Sequence, residues 1–307
     1  MTVRSIAVAR GVVQSWVARR GIAANWRLLG QDMADYYRLR RFDTLVPGYR
    51  ALLYTVLGYA AAGQIDLKLI MVNTLVIGLL FMFFGAYDNY WDWRLLGEQN
   101  GTRAVIERRG LSQRAGLFLA CVPYGLTLPL MGQLRVWRVS WISEAIVWLL
   151  AALGFAYMTP GIRLKSRRLS FFMAPAWACL LFLQAAFLSG TERCHPMILA
   201  LSGAIFALQC QAELLHRLDD GGATAAAPAL RAWLYRLPWI VLGVSLAAAW
   251  WMPLLLNTAV WWLVRLWALR RVDLSRLSTL RRQVWHPVWS LYEFGIYAAA
   301  GIMHRLI

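Results

Sequence analysis

The chain is 307 residues long, 60% of them hydrophobic, and carries a formal net charge of +17. Apolar runs of bilayer-spanning length recur along it, which excludes an ordinary soluble domain and indicates a polytopic helical membrane protein. The positive charge is nearly all Arg (Lys68 and Lys165 are the only lysines) and falls between the hydrophobic runs, so topology and anionic lipid headgroups explain it better than nucleic acid does.

Residues 1–42 are Arg-rich with interspersed apolar positions such as Val12, Val13, Trp16, Trp26, Leu28 and Leu29. This pattern predicts an amphipathic N-terminal segment lying on the membrane surface. No signal-peptide core with a small-residue cleavage site is evident. Residues 43–307 form the membrane domain, with spans expected near 44–64, 67–87, 113–132, 141–158, 170–189, 196–212, 234–252, 253–269 and 288–304. Pro253 breaks the long apolar run around Trp250 into two helices. Seventeen Trp and twelve Tyr suit aromatic belts at the two interfaces. Cys121, Cys179, Cys194 and Cys210 show no metal-ligand spacing, and they read as small packing residues without a disulfide framework.

With nine spans, every strongly basic loop falls on one side, which the positive-inside rule makes cytoplasmic. Those loops include Arg94–Arg114, Arg163–Arg168, Arg217–Arg236 and Arg270–Arg282, whereas the intervening loops carry few Arg. The N-terminus is then cytoplasmic. The expected fold is an all-α bundle of about nine transmembrane helices enclosing a central cavity.

Three of the cytoplasmic loops carry chemistry. The first opens with Asp88-Asn89-Tyr90-Trp91-Asp92, directly after an apolar run of spanning length. Four residues separate the carboxylates, so a continued helix places them on one face. Such a pair suits Mg²⁺, which takes oxygen ligands, keeps several waters and commonly bridges to phosphates. Equally, the stretch reads as a solvated helix end at the membrane–water boundary. The second loop runs from Tyr157 through Thr159, Pro160, Gly161 and Arg163 to Lys165. Its basic residues also read as ordinary topology signals.

In the third loop, Glu213, His216, Arg217 and Asp220 share a helical face. Glu213 and Asp220 would complete a metal shell, and Arg217 would hold a phosphate directly. A self-neutralising cluster of ion pairs is the plainer alternative. His216 alone reads as a polar helix-end residue. Carboxylates that hold Mg²⁺, a metal that holds a diphosphate and basic groups that neutralise the rest together suit a lipid diphosphate with its tail among the helices.

The loops resemble those of the UbiA superfamily of intramembrane prenyltransferases. Asp88-Asn89-Tyr90-Trp91-Asp92 is similar to the start of its first acidic signature, Asn100 to Ala104 to its Arg-Pro stretch, and Arg109 to Ala115 to the following helix opening. Tyr157 to Lys165 resembles its second loop, with Arg163-Leu164-Lys165 matching well. Glu213, Arg217, Gly221 and Thr224 line up with its second acidic signature. Arg38 to Phe42 resembles its approach to the first span. The chain departs from that pattern in the order Asp88-Asn89, in Leu96 at the third acidic position, and in Glu213 and Arg217 where the family has Asp.

The resemblance implies a Mg²⁺-dependent transferase in the cytoplasmic (inner) membrane of a bacterium. It would ionise a polyprenyl diphosphate and pass the allylic carbocation to a small-molecule acceptor, most often an aromatic ring. Asp88, Asp92, Arg163 and Lys165 would be catalytic, and Asn89, Arg103, Tyr157 and Arg217 would bind substrate. Asp88, Asp92, Glu213 and Asp220 would hold metal. Its partners would be those substrates and membrane lipids, with no nucleic acid. A terpene cyclase, a polyprenyl-phosphate phosphoribosyl transferase and a non-catalytic lipid-binding protein remain alternatives on the same fold.

Overall fold

The structure is a computed structural model. It describes Gln31 and residues 54–64, 66–97, 101–108, 110, 112, 114, 125, 127–164, 170–189, 196–220, 227–250 and 255–271. The N-terminal segment expected at 1–42, apart from Gln31, and the span expected at 288–304 lie outside these residues. So do most of the span expected near 113–132 and the first part of the one near 44–64.

Among the described residues there is no strand. After the helical residues 54–61 come α1 (Leu67–Leu96), α2 (Gly101–Arg108), α3 (Thr127–Gly132), α4 (Trp141–Met158), α5 (Ser170–Ala186), α6 (Pro196–Asp220), α7 (Ala227–Ala249) and α8 (Leu255–Arg271). From α4 to α8 each helix packs on its sequence neighbour, and α4 also packs on α1. Short connections favour this arrangement. α1 and α4 are each long and apolar enough to cross a membrane, while Phe171–Ala186 and Ile198–Leu214 are shorter apolar helices.

Local signals fix the helix ends. The Asp66 carboxylate accepts from the Leu69 N–H at 3.1 Å and caps α1. The Ser140 hydroxyl does the same for α4 by accepting from the Ser143 N–H at 3.2 Å. α1 ends at Gly97, whose φ of 70° suits a residue without Cβ. The helix therefore runs past the 67–87 span expected from hydropathy. Tyr90, Asp92 and Trp93 at its far end are buried and extend the packed face. Thirty residues make α1 about 45 Å long against a hydrocarbon core of about 30 Å, so it has length to spare beyond a span. α6 likewise outruns its expected end at 212 and reaches Asp220.

One hydrophobic core joins Val76, Ile77, Leu80 and Phe84 of α1 to Val147 and Leu150 of α4, Phe182 and Ala185 of α5, and Ile205 and Leu208 of α6. A smaller cluster of Ala207, Leu242, Ala259, Trp262 and Leu266 joins α6, α7 and α8. Met71, Leu75, Leu199, Val244, Val260 and Trp267 point outward. Outward apolar side chains of this kind suit a lipid-facing surface.

Gly58 is where the 54–61 helix meets α5. A Cβ there would lie 2.4 Å from the Phe182 carbonyl oxygen and 2.7 Å from the Ala185 Cβ. Backbone must therefore move to admit a methyl group. Gly58→Ala is expected to cost about 1–3 kcal/mol, read as a lowered thermal midpoint of the detergent-purified protein. An unchanged midpoint would show that the two helices separate without cost.

A closed polar network also crosses this core. Gln184 Nε2 donates to Asn73 Oδ1 at 2.6 Å and to Ser143 Oγ at 2.9 Å. Asn73 Nδ2 donates back to Gln184 Oε1 at 2.9 Å and to the Tyr59 hydroxyl at 2.7 Å. The Ser143 hydroxyl donates to the Gln184 carbonyl at 2.8 Å. Asn73, Ser143 and Gln184 have no exposed surface. Fifteen residues separate Asn73 from Asp88, which places the network about 22 Å along α1 from the acidic stretch.

Candidate functional site

The site is built from the last turns of α1 and the turn that follows α4. Asp88 and Asp92 lie inside a continuous helix, one turn apart. Asp88 and Asn89 are half-buried and Asp92 is buried. Arg163 Nη2 donates to Asp92 Oδ1 at 3.1 Å. Their side chains are 17% and 8% exposed, so little water screens the pair.

The turn is fixed from two sides. The Arg163 N–H donates to the Thr159 carbonyl at 2.9 Å, and the Thr159 N–H donates to Phe155 at 2.8 Å. Gly161, at φ 91°, makes the reversal possible. Arg163 itself sits at φ 29°, an unfavourable region for a residue with a side chain. The hydroxyls of Thr159 and Tyr87 lie 3.3 Å apart in a hydrogen bond. The Tyr87–Thr159 and Asp92–Arg163 contacts thus tie the turn to α1 at two points.

Beneath the pair lies an aromatic wall. Tyr87 stacks on Phe83 with centroids 5.8 Å apart, and Phe83 and Phe84 meet Phe155 edge-on at 5.6 and 5.3 Å. Phe84 also contacts Trp177 at 5.6 Å. Trp91 lies edge-on to Tyr87 at 6.1 Å and carries the Arg94 guanidinium 5.5 Å from its ring centroid. Gly154 makes room for the wall, because a Cβ there would lie 2.5 Å from the Phe84 ring.

The remaining residues singled out in the sequence are placed variously. Tyr157, in the last turn of α4, packs against the main core. Arg103 donates to Glu107 Oε1 at 2.6 Å and to the Gly97 carbonyl at 2.8 Å, which ties α2 to the end of α1. Glu213 is half-buried on α6. Leu96, at the third acidic position, is exposed at the end of α1. Arg217 and Asp220 lie on the helical backbone of α6, but their side chains are outside the description, and Lys165 lies outside it altogether.

The oxygen donors of Asp88 and Asp92 suit a hard cation that keeps part of its water shell. Among the described residues no three His, Cys, Asp or Glu side chains gather into a group that could hold a metal ion.

The sequence does not single out Tyr87 and Gln211, and it offers Thr159 only as part of the second loop. Tyr87 carries only its neighbourhood as a signal. Gln211 is fully buried on α6, two residues before Glu213. Neither of its amide atoms has a hydrogen-bond partner among the described residues. Such a group is costly in an apolar interior. Gln211→Leu should therefore raise stability by about 1–2 kcal/mol, measured as a higher thermal midpoint. A lower midpoint would show that the amide is bonded inside the bundle.

An all-helical bundle with a carboxylate–arginine pair above an aromatic wall is the class that these elements define. No family model matches the chain, and no curated protein does. Among solved structures, a UbiA homolog from Archaeoglobus fulgidus bound to DMAPP and Mg²⁺ matches with a TM-score of 0.60 at 16% identity, over 88% of this chain and 96% of that one. The same homolog bound to GPP and Mg²⁺ matches with a TM-score of 0.59 at 17% identity, over 88% and 97% of the two chains. A further structure of it gives 0.58 at 18% identity over the same shares, 88% and 97%. The fold of this chain is that of the UbiA homologs.

Proposed function

We propose that this protein is a divergent UbiA-type intramembrane prenyltransferase that moves a prenyl group from an allylic prenyl diphosphate to a small, aromatic acceptor. The observation that carries this reading is the buried Asp92–Arg163 pair above the aromatic wall, on a fold whose solved examples bind DMAPP or GPP with Mg²⁺. Mg²⁺ bound at such a site would neutralise diphosphate charge as the allylic C–O bond breaks. Asp88, Asn89 and Asp92 of α1 would hold a first cation, and Glu213 and Asp220 of α6 would hold a second. Arg163, Lys165, Arg103 and Arg217 would stabilise the charge that grows on the departing diphosphate. Tyr157 would line the substrate. Phe83, Tyr87, Trp91 and Phe155 would exclude water from the allylic cation and offer it their ring faces. The protein would work in the inner membrane of a bacterium, with these loops on the cytoplasmic face.

The density of rings around Phe84 and Phe155 favours a second reading, cyclisation of the prenyl chain without an acceptor. The two separate on product. Purified protein is supplied with labelled prenyl diphosphates, with and without an acceptor extract from the source membrane. Label that appears in an acceptor adduct, and only when the extract is present, supports transfer. A labelled hydrocarbon or alcohol formed without it supports cyclisation. Intact diphosphate under every condition rejects both.

A further inference from the structure

The Arg163 guanidinium occupies one of the two Asp92 oxygens that a cation would use. It is held on the carboxylate at 3.1 Å, and both side chains are largely withdrawn from water. The arginine is delivered there by a turn in the left-handed region of backbone space, closed by Thr159 and tied to Tyr87. It is a held group and not a mobile surface side chain.

We propose that Arg163 is a specificity-determining residue: it closes Asp92 to a bare divalent cation and yields it only to a cation that arrives with a diphosphate. This rests on the prenyl diphosphate reading above. A bare cation meets two obstacles at Asp92. It must displace a charge-assisted hydrogen bond, and it must then sit a few ångströms from the displaced guanidinium in a site poor in water. A diphosphate removes both. Its oxygens offer the planar fork a bidentate partner, so Arg163 exchanges one anion for another. Its charge also screens the cation from the arginine. A monophosphate brings less charge and fewer oxygens, and it is the weaker key.

The test is Mn²⁺ uptake by the full-length purified protein, measured as the excess of Mn²⁺ on the protein side at dialysis equilibrium over a protein-free control. Mn²⁺ is added alone, with geranyl thiolodiphosphate (which does not ionise) or with geranyl monophosphate. The wild type should bind Mn²⁺ about tenfold or more tightly with the thiolodiphosphate than without it, and gain much less from the monophosphate. Arg163→Gln should bind Mn²⁺ alone about tenfold more tightly than the wild type and lose most of the diphosphate effect. Arg163→Lys keeps the charge without the fork and guards against a misfolded Gln variant. It should leave affinity for Mn²⁺ alone as in the wild type and weaken the diphosphate effect. Wild-type binding of Mn²⁺ alone that is as tight as with diphosphate, or a diphosphate effect unchanged in both variants, overturns the role of Arg163 and leaves the function intact. No uptake by any form with diphosphate present overturns the function and the gate together.

Discussion

Asp92→Asn is expected to lower Mg²⁺-dependent diphosphate release by about 10²–10³-fold, the scale on which a preorganised charge at the reacting centre acts. The substitution keeps the volume and one oxygen, so Arg163 retains a hydrogen-bond acceptor while the site loses a negative charge. Asp92 is 6% exposed and on the buried face of α1, and the change falls where screening is weak. The matching change at Asp88, one turn earlier and half-buried, should cost less. Initial rates with a saturating prenyl diphosphate give the comparison, and the thermal midpoint checks that the variant is folded. A folded Asp92→Asn variant with wild-type rates would remove Asp92 from the chemistry and leave the Asp92–Arg163 pair a purely structural clamp.

The second large effect is on stability and lies at the other end of α1. Gln184→Leu removes three side-chain hydrogen bonds and leaves Asn73 and Ser143 buried with unmet capacity. Hydrogen bonds between membrane helices average only about 0.6 kcal/mol, because the unfolded chain also finds partners in lipid. The groups left short of a partner add about 1–3 kcal/mol in all, because Asn73 keeps its bond to Tyr59 and Ser143 its bond to the main-chain carbonyl of residue 184. A loss of about 2–4 kcal/mol is therefore expected, seen as a lower thermal midpoint. Asn73→Val with Gln184→Leu should cost less than the sum of the single changes, because the pair is removed together. Additive losses would mean that the two amides do not depend on each other.

Much of this architecture is legible from local pattern. α4 has the expected bounds, 141–158, since Ser140 supplies a cap and Thr159-Pro160-Gly161 ends the apolar run. The i, i+4 spacing of Asp88 and Asp92 reads correctly as one helical face, and the backbone of α6 carries Glu213 to Asp220 as a helix. Hydropathy alone stops α1 near residue 87, because it scores Asp88, Asn89 and Asp92 as polar and is blind to the burial of Tyr90 and Trp93 beside them. The site's central contact is not legible at all. Asp92 and Arg163 are 71 residues apart, and only the turn closed by Thr159 aims one at the other. Arg103, a substrate ligand by the family resemblance, also bonds Glu107 and the Gly97 carbonyl, contacts that its sequence neighbourhood does not announce. The Asn73–Gln184 pair, separated by 111 residues, is hidden for the same reason as the Asp92–Arg163 pair.

The most direct measurement is diphosphate release by the purified protein from prenyl diphosphates of graded chain length, in Mg²⁺ and in EDTA, with the acceptor extract present throughout. The proposed function predicts release that requires Mg²⁺, favours one range of chain lengths and collapses in Asp92→Asn. The absence of release at every chain length, or release that is indifferent to both EDTA and Asp92→Asn, would contradict it.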